Sequence, residues 1–319
     1  MPDVSKAVLI TGCSTGIGRA TALRLARSGW TVYATARRPE SIADLADAGC
    51  RTLTLDVTDE ASMQAAVQAV EQAEGAVGVL VNNAGYSQSG AIEQISPEAV
   101  RRQFETNVFG AIRLAQLALP GMRGQRWGKI VNVGSMGGRM TFPGGGLYHA
   151  TKYALEALSD VLRFEVRGFG VDVVLIEPGL ITTEFAQNSV ATVPTGARSA
   201  GDAQPSEGAE RHGATPSAEV AERGGATDSE VGGAGIAERY DEFNARVAAV
   251  TVGVYESPMR HLGGGPDVVA KAIEKAITRR RTPTRVPVTP SARLAIFNRR
   301  LLSDRTWDAV LRSRYPEPR

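Results

Sequence analysis

Tyr148 and Lys152 are four residues apart in the stretch Tyr-His-Ala-Thr-Lys. On a helix, residues at i and i+4 lie one above the other on a single face. That spacing puts a proton donor beside a fixed cation. A tyrosine in water has a pKa near ~10, too high for easy proton exchange at neutral pH. A neighbouring ammonium favours the phenolate and is expected to lower that value. Ser135, at the end of an apolar run thirteen residues upstream, is placed to hydrogen-bond a substrate oxygen. Such a trio suits general acid–base chemistry on a carbonyl or an alcohol. Taken alone, the same five residues also suit the opening of an ordinary amphipathic helix, so the elements around them decide.

Those elements alternate. Residues 6–11 form a short apolar strand, followed by Gly12-Cys-Ser-Thr-Gly16-Ile-Gly18 and a helical pattern that Gly29 ends. A strand, a glycine-rich turn and a helix N-terminus together make an anion site, because bare backbone can approach a pyrophosphate and free N–H groups point at it. The second strand, 31–36, ends in Ala36-Arg37-Arg38. A carboxylate there would accept from a ribose 2′-hydroxyl. The guanidinium of Arg37 instead fits a 2′-phosphate, with Ser14 as a second contact, so NADP(H) is preferred over NAD(H).

Further strands are expected at 51–55, 78–81, 129–133, 171–176 and 285–288. Asp56 follows the third strand, where an adenine is expected, and Thr58 or Asp59 caps the next helix. Asn82-Asn83-Ala84-Gly85 follows the fourth strand with small residues that let a cofactor lie close. Pro97 opens a long helix to about Leu119 that contains Asn107, a poor interior residue whose amide competes for backbone groups. A second helix runs from Tyr148 to about Arg167. The reading is a single α/β domain over 1–319: a doubly wound parallel sheet of about seven strands with helices on both faces.

Composition is that of an ordinary globular protein. Of 319 residues, 43% are hydrophobic and 22% charged, and the net charge of +2 gives no reason to invoke nucleic acid. Cys13 and Cys50 fall in different elements, which argues against a disulfide framework. The three histidines have no metal-ligand spacing. No run approaches a membrane span, and no secretory leader is seen at the start, so the expectation is a cytoplasmic protein without an integral membrane segment. Residues 195–237 are rich in Gly, Ala, Ser and Glu and read as a disordered, low-complexity insertion in the substrate-loop region. Order is expected to resume at 238. A helix follows at 266–278, and 289–319 reads as an arginine-rich helical extension whose apolar side docks on the domain.

The chain resembles the short-chain dehydrogenase/reductase family. The residues that carry the likeness are Thr11 through Gly18, Asp56, Asn82 through Gly85, Asn107, Ser135, Tyr148, Lys152 and Pro178-Gly179. The end of the second strand and the C-terminal extension are similar to the 17β-hydroxysteroid and retinol dehydrogenase branch. The resemblance implies a catalytic tetrad of Tyr148, Lys152, Ser135 and Asn107, the last bending its helix and holding a water in a proton relay. It implies cofactor contacts from Gly12, Ser14, Thr15, Gly16, Ile17 and Gly18, and from Arg37, Asp56, Val57, Asn83, Ala84 and Gly85. Tyr148, Lys152, Pro178, Gly179, Ile181 and Thr183 are expected at the nicotinamide end. The implied reaction interconverts a ketone or aldehyde and an alcohol on an apolar, steroid-, retinoid- or lipid-like substrate, in a homodimer or homotetramer. Phe142, Leu147, Phe185, Tyr255 and Met259 are candidates for the apolar wall. Two other readings are a dinucleotide-binding sensor without turnover and an epimerase or dehydratase of the same general type.

Overall fold

A computed structural model describes residues 4–194, 229–257 and 261–317. The strands are β1 (Val8–Ile10), β2 (Val32–Ala36), β3 (Arg51–Thr54), β4 (Val79–Asn82), β5 (Gly128–Val133), β6 (Val171–Glu177) and β7 (Arg285–Pro287). All pair in parallel, in the order β3-β2-β1-β4-β5-β6-β7. Every expected strand is present, within two residues of its expected ends.

Parallel strands covered on both faces are apolar on both faces, and this sheet shows why the runs are continuous rather than alternating. Val8, Ile10, Val79 and Val81 point into one buried cluster with Ala22, Leu25, Val269 and Ile273. Leu9 and Leu80, one residue out of phase, point into the other with Met63, Val67, Leu114 and Val166. The helices that supply the first layer are α1 (Gly16–Arg27) and, near the end of the chain, Pro266–Thr278. The second layer comes from α2 (Glu60–Glu74), α3 (Pro97–Phe104), α4 (Gly110–Gly124) and α5 (Gly146–Val166). Asp59 caps α2 by accepting from the Ser62 N–H at 3.0 Å.

The long helix expected from Pro97 is not one helix. A π-turn, Glu105–Phe109, separates α3 from α4, which runs on to Gly124. Asn107 lies in the middle of this turn, with its side-chain amide bonded to the backbone of Tyr86. The remaining helices are α6 (Phe185–Ala191), which sequence reading did not separate, α7 (Ser229–Glu256), α8 (Pro266–Thr278), α9 (Pro290–Leu301) and α10 (Asp304–Arg312). Helix α7 starts at Ser229, nine residues before order was expected to resume. Residues 195–228 of the expected insertion lie outside the described residues, as does Met259.

Strand order reverses between β1 and its neighbours β2 and β4, so the carboxyl ends of β1 and β4 open a crevice there. The crevice is where the glycine loop, the Asn82–Gly85 turn, Ser135 and the start of α5 meet. The C-terminal extension reaches it too. A Cβ on Gly179 would come within 2.4 Å of the Ser291 and Thr289 hydroxyls, so the start of α9 sits directly on the Pro178-Gly179 turn. The Leu180 N–H donates to Ser291 Oγ at 3.1 Å.

Candidate active site

The glycine loop is built by close approach. A Cβ on Gly18 would stand 2.1 Å from the Gly12 carbonyl oxygen, so α1 packs against its own loop only because that position is bare. Gly12 itself has φ +70°, in the left-handed region that glycine adopts at no cost. Asn83 locks the loop to the end of β4: its Nδ2 donates to the carbonyls of Thr11 at 2.9 Å and Gly12 at 3.0 Å. Its N–H and that of Ala84 donate to Thr11 Oγ1 at 3.0 and 2.9 Å.

A cleft of about 1140 Å³ begins there and runs past Ser135 and Tyr148. Gly12, Ser14, Thr15, Gly16, Ile17, Arg37, Asp56, Val57, Asn83, Ala84 and Gly85 line one end. Ser135, Tyr148, Lys152, Pro178, Gly179, Ile181 and Thr183 line its middle. Gly18 and Asn107 do not line it. Gly18 supports the loop from behind, and Asn107 is buried, 2% exposed. The Asn107 amide accepts from the Tyr86 N–H at 3.1 Å, and donates to the Tyr86 carbonyl at 2.9 Å and to Thr151 Oγ1 at 3.1 Å. It therefore ties the segment after Gly85 to α5. Asp56 accepts from the N–H and hydroxyl of Thr58 at 2.9 and 2.8 Å, which fixes the turn after β3.

Tyr148 and Lys152 share one face of α5 as their spacing requires. Lys152 is buried, and its Nζ donates to the Val133 carbonyl at 2.8 Å, next to Gly134 and Ser135. The ammonium lies 5.6 Å from the Tyr148 ring centroid. Ser135 Oγ accepts from the Gly137 N–H at 3.0 Å and faces the Tyr148 phenol across the cleft. One expectation is reversed. Burial pushes the Tyr148 phenol up to about 12, the nearby Ser135 hydroxyl opposes that, and the Tyr255 phenol adds to it. Lys152 is itself pulled down to about 8 by burial. Desolvation disfavours both charged forms, and the ammonium is anchored on a carbonyl rather than on the phenol.

Of the expected apolar wall, Phe142, Phe185 and Tyr255 line the cleft. Phe185 packs on Tyr148 with centroids 5.3 Å apart. Leu147 does not line it; it is core, packed with Ile95 and Ala99, because it lies on the opposite side of α5 from His149. Two contributions were missed. His149 lines the cleft with Nδ1 3.0 Å from the Gly137 carbonyl, and burial takes its pKa down to about 4. Leu294, Ala295, Trp307, Val310 and Leu311 of α9 and α10 also line it, so the apolar side of the extension faces the cleft. The i, i+3, i+4 spacing of Trp307, Val310 and Leu311 was legible; what it faces was not.

Beneath Lys152 lies a charged cluster. Glu156, one turn further along α5, is 6% exposed, and Glu177, at the end of β6, is 2% exposed. Arg285 Nε donates to Glu156 Oε2 at 3.0 Å and lies 3.8 Å from Glu177 Oε1, while its NH2 pairs with Asp160. Arg139 reaches Glu156 Oε2 at 3.4 Å. Burial, first, and the Glu156 carboxylate, second, push Glu177 up to about 7. A carboxyl that holds its proton longer in the folded chain adds stability below its unfolded pKa and loses it as pH rises through the folded one. Glu177→Gln should therefore gain about 2 kcal/mol over the wild type between pH 4.5 and pH 8. Denaturant unfolding at both pH values reads this, and a pH-independent difference would refute it.

A parallel doubly wound sheet with a bare loop at its crossover and an acid–base pair in the same cleft defines a dinucleotide-dependent oxidoreductase class. The family model for short chain dehydrogenase matches residues 6–194, and the chain belongs to that family. It is 41% identical over 182 residues to a 3-ketodihydrosphingosine reductase of Bacteroides thetaiotaomicron, covering 57% of this chain and 66% of that one, just under two thirds. A short-chain dehydrogenase structure from Streptomyces avermitilis covers 97% of this chain and 98% of its own, at 33% identity and a TM-score of 0.68. One from Sphingobium yanoikuyae, in complex with NADPH, covers 57% of this chain and 74% of its own, at 33% identity and a TM-score of 0.53. Among the described residues no helix is long and apolar enough to cross a membrane.

Proposed function

We propose that this protein is an NADP(H)-dependent oxidoreductase that interconverts an apolar ketone or aldehyde and its alcohol, with Tyr148 as general acid/base. The observation that carries the reading is the placement of Tyr148, Ser135 and Lys152 on one wall of the cleft that the glycine loop opens. The bare loop fits a dinucleotide: a side chain at Gly18 would run into the Gly12 carbonyl and one at Gly12 into Asn83 and Ala84, so both glycines are needed for the tight loop whose residues line the cleft. Gly12, Ser14, Thr15, Gly16 and Ile17 would hold the pyrophosphate, and Arg37 the 2′-phosphate. Asp56 and Val57 would meet the adenine, and Asn83, Ala84 and Gly85 the ribose. Pro178, Gly179, Ile181, Thr183 and Lys152 would fix the nicotinamide end. Bound, the dinucleotide supplies or takes up a hydride.

The side chains handle the proton and the oxygen. With its pKa raised, Tyr148 carries its proton at neutral pH, the form that reduction of a carbonyl consumes. Ser135 Oγ would hydrogen-bond the same substrate oxygen. Asn107 holds α5 to the Gly85–Tyr86 segment, so it acts by positioning. A homodimer or homotetramer through the long helices is supported by apolar side chains left on their outer faces: Phe164 is 86% exposed, with Val161 and Phe109 also exposed.

Cofactor choice tests the reading first. NADPH should bind at least tenfold more tightly than NADH, about 1.4 kcal/mol. Arg37→Ala should remove that margin while changing NADH affinity less than threefold. Nicotinamide fluorescence titrations report both, and a wild type that prefers NADH would overturn the assignment of Arg37. The Sphingobium relative's complex with NADPH supports the choice.

A further inference from the structure

We propose that the C-terminal helices α9 and α10, with α7, form a distal subsite for the elongated, uncharged apolar body of the substrate. The proposal rests on the oxidoreductase reading for the position of the reacting carbon, at Tyr148.

The argument begins with α10, Asp-Arg-Thr-Trp-Asp-Ala-Val-Leu-Arg. Its apolar residues Trp307, Val310 and Leu311 share one face, and its charges lie elsewhere. A nine-residue helix has no stability of its own in water and forms by packing that face on something. Here the face is only partly covered. No residue of α10 is buried, Val310 is 37% exposed, and all three apolar side chains line the cleft. Trp307 leans on Phe142 with centroids 5.8 Å apart, and Phe142 in turn stacks near His149, beside Tyr148. The extension is thus joined to the reacting centre by a row of rings, and its apolar surface gains most from a ligand that covers it.

Helix α7 presents the matching stripe. Val247, Val250, Val254 and Tyr255 line the same cleft. Tyr255 lines the cleft together with Tyr148. Val247, at the other end, packs with Phe243 and Tyr315. Eight residues of helix separate the two ends, a length of about 12 Å. That length of apolar wall, from Tyr255 to Val247, exceeds what a small ketone can cover. The described residues of α7, α9 and α10 that line it are uncharged, and the charge contributed by the chain just past α10 is Arg314, beside Tyr315 at the end remote from Tyr255. A short or charged substrate leaves this wall wet; an extended apolar one covers it.

A homologous series of 2-ketones reads the subsite. With NADPH, kcat/KM should rise about fourfold per added methylene from butan-2-one to decan-2-one. Val310→Trp, which fills the trough, should lower the decan-2-one to butan-2-one ratio at least tenfold. Equal values for the two ketones in the wild type, or an unchanged ratio in a folded variant, would overturn the proposal. Binding supplies the second readout and needs no turnover. Decan-2-one should change the emission of Trp307 at concentrations where butan-2-one does not, and Trp307→Phe, which retains Trp30 and Trp127, should lose the change. If no ketone is reduced, the oxidoreductase reading fails, and this titration alone decides the subsite: no change in emission overturns it.

Discussion

Tyr148→Phe should lower kcat by about a thousandfold, within the range that general acid–base groups contribute. The substitution removes one oxygen and keeps the ring. The ring's contacts with Phe185 at 5.3 Å and His149 at 5.8 Å should survive, and with them the shape of the cleft. NADPH affinity should stay within threefold of wild type, because the glycine loop and Arg37 end of the cleft is untouched. Pre-steady-state and steady-state reduction of the best ketone, beside a fluorescence titration, separate the two effects. A variant that still turns over within tenfold of wild type would show that another group moves the proton. His149 is the neighbour to examine next, although a ring held neutral down to about pH 4 is poorly suited to donate near neutrality.

Arg285→Ala should cost about 3 kcal/mol of unfolding free energy, the penalty for leaving buried carboxylates without their cation. Among the described residues, Arg285 is the one side chain that pairs with Glu156, Asp160 and Glu177 together. Its loss leaves Arg163 with Asp160 at 2.7 Å, but Glu156 with Arg139 alone among the described residues, at 3.4 Å. Glu156 already has one buried oxygen, Oε1, without a hydrogen-bond partner, so the site has no slack to absorb a further charge. Adding Glu156→Gln to the variant should recover part of the loss, since it removes the stranded charge. Chemical denaturation of the three proteins at pH 8 measures this, and a cost below 0.5 kcal/mol would refute a cation-dependent cluster. The location gives the cluster a functional reach. Glu156 is one turn from Lys152 on α5, and Glu177 directly precedes the Pro178-Gly179 turn, so the ion pairs brace two parts of the cleft from below.

Much of this protein was legible in the sequence because it is written in short-range patterns. The largely apolar runs at 6–11, 78–81 and 171–176 read as strands covered on both sides, and their alternation with helices pointed to a parallel sheet. The Gly12–Gly18 loop, the i, i+4 relation of Tyr148 and Lys152, and the family that the motifs resemble needed no coordinates. Three things did. The residues alone made Asn107 an awkward helix interior and the family likeness made it a tetrad member, but its partner, the backbone of Tyr86, lies 21 positions away and only the fold brought it in. The direction in which Tyr148 is shifted depended on burial, and burial is a property of everything packed around the ring. The Glu156–Glu177–Arg285 cluster and the apolar wall of α9 and α10 join segments more than a hundred residues apart in the chain. Local propensity decides which residues share a face; only the closed fold decides what that face meets, because desolvation and close contact are set by neighbours that sequence distance does not order.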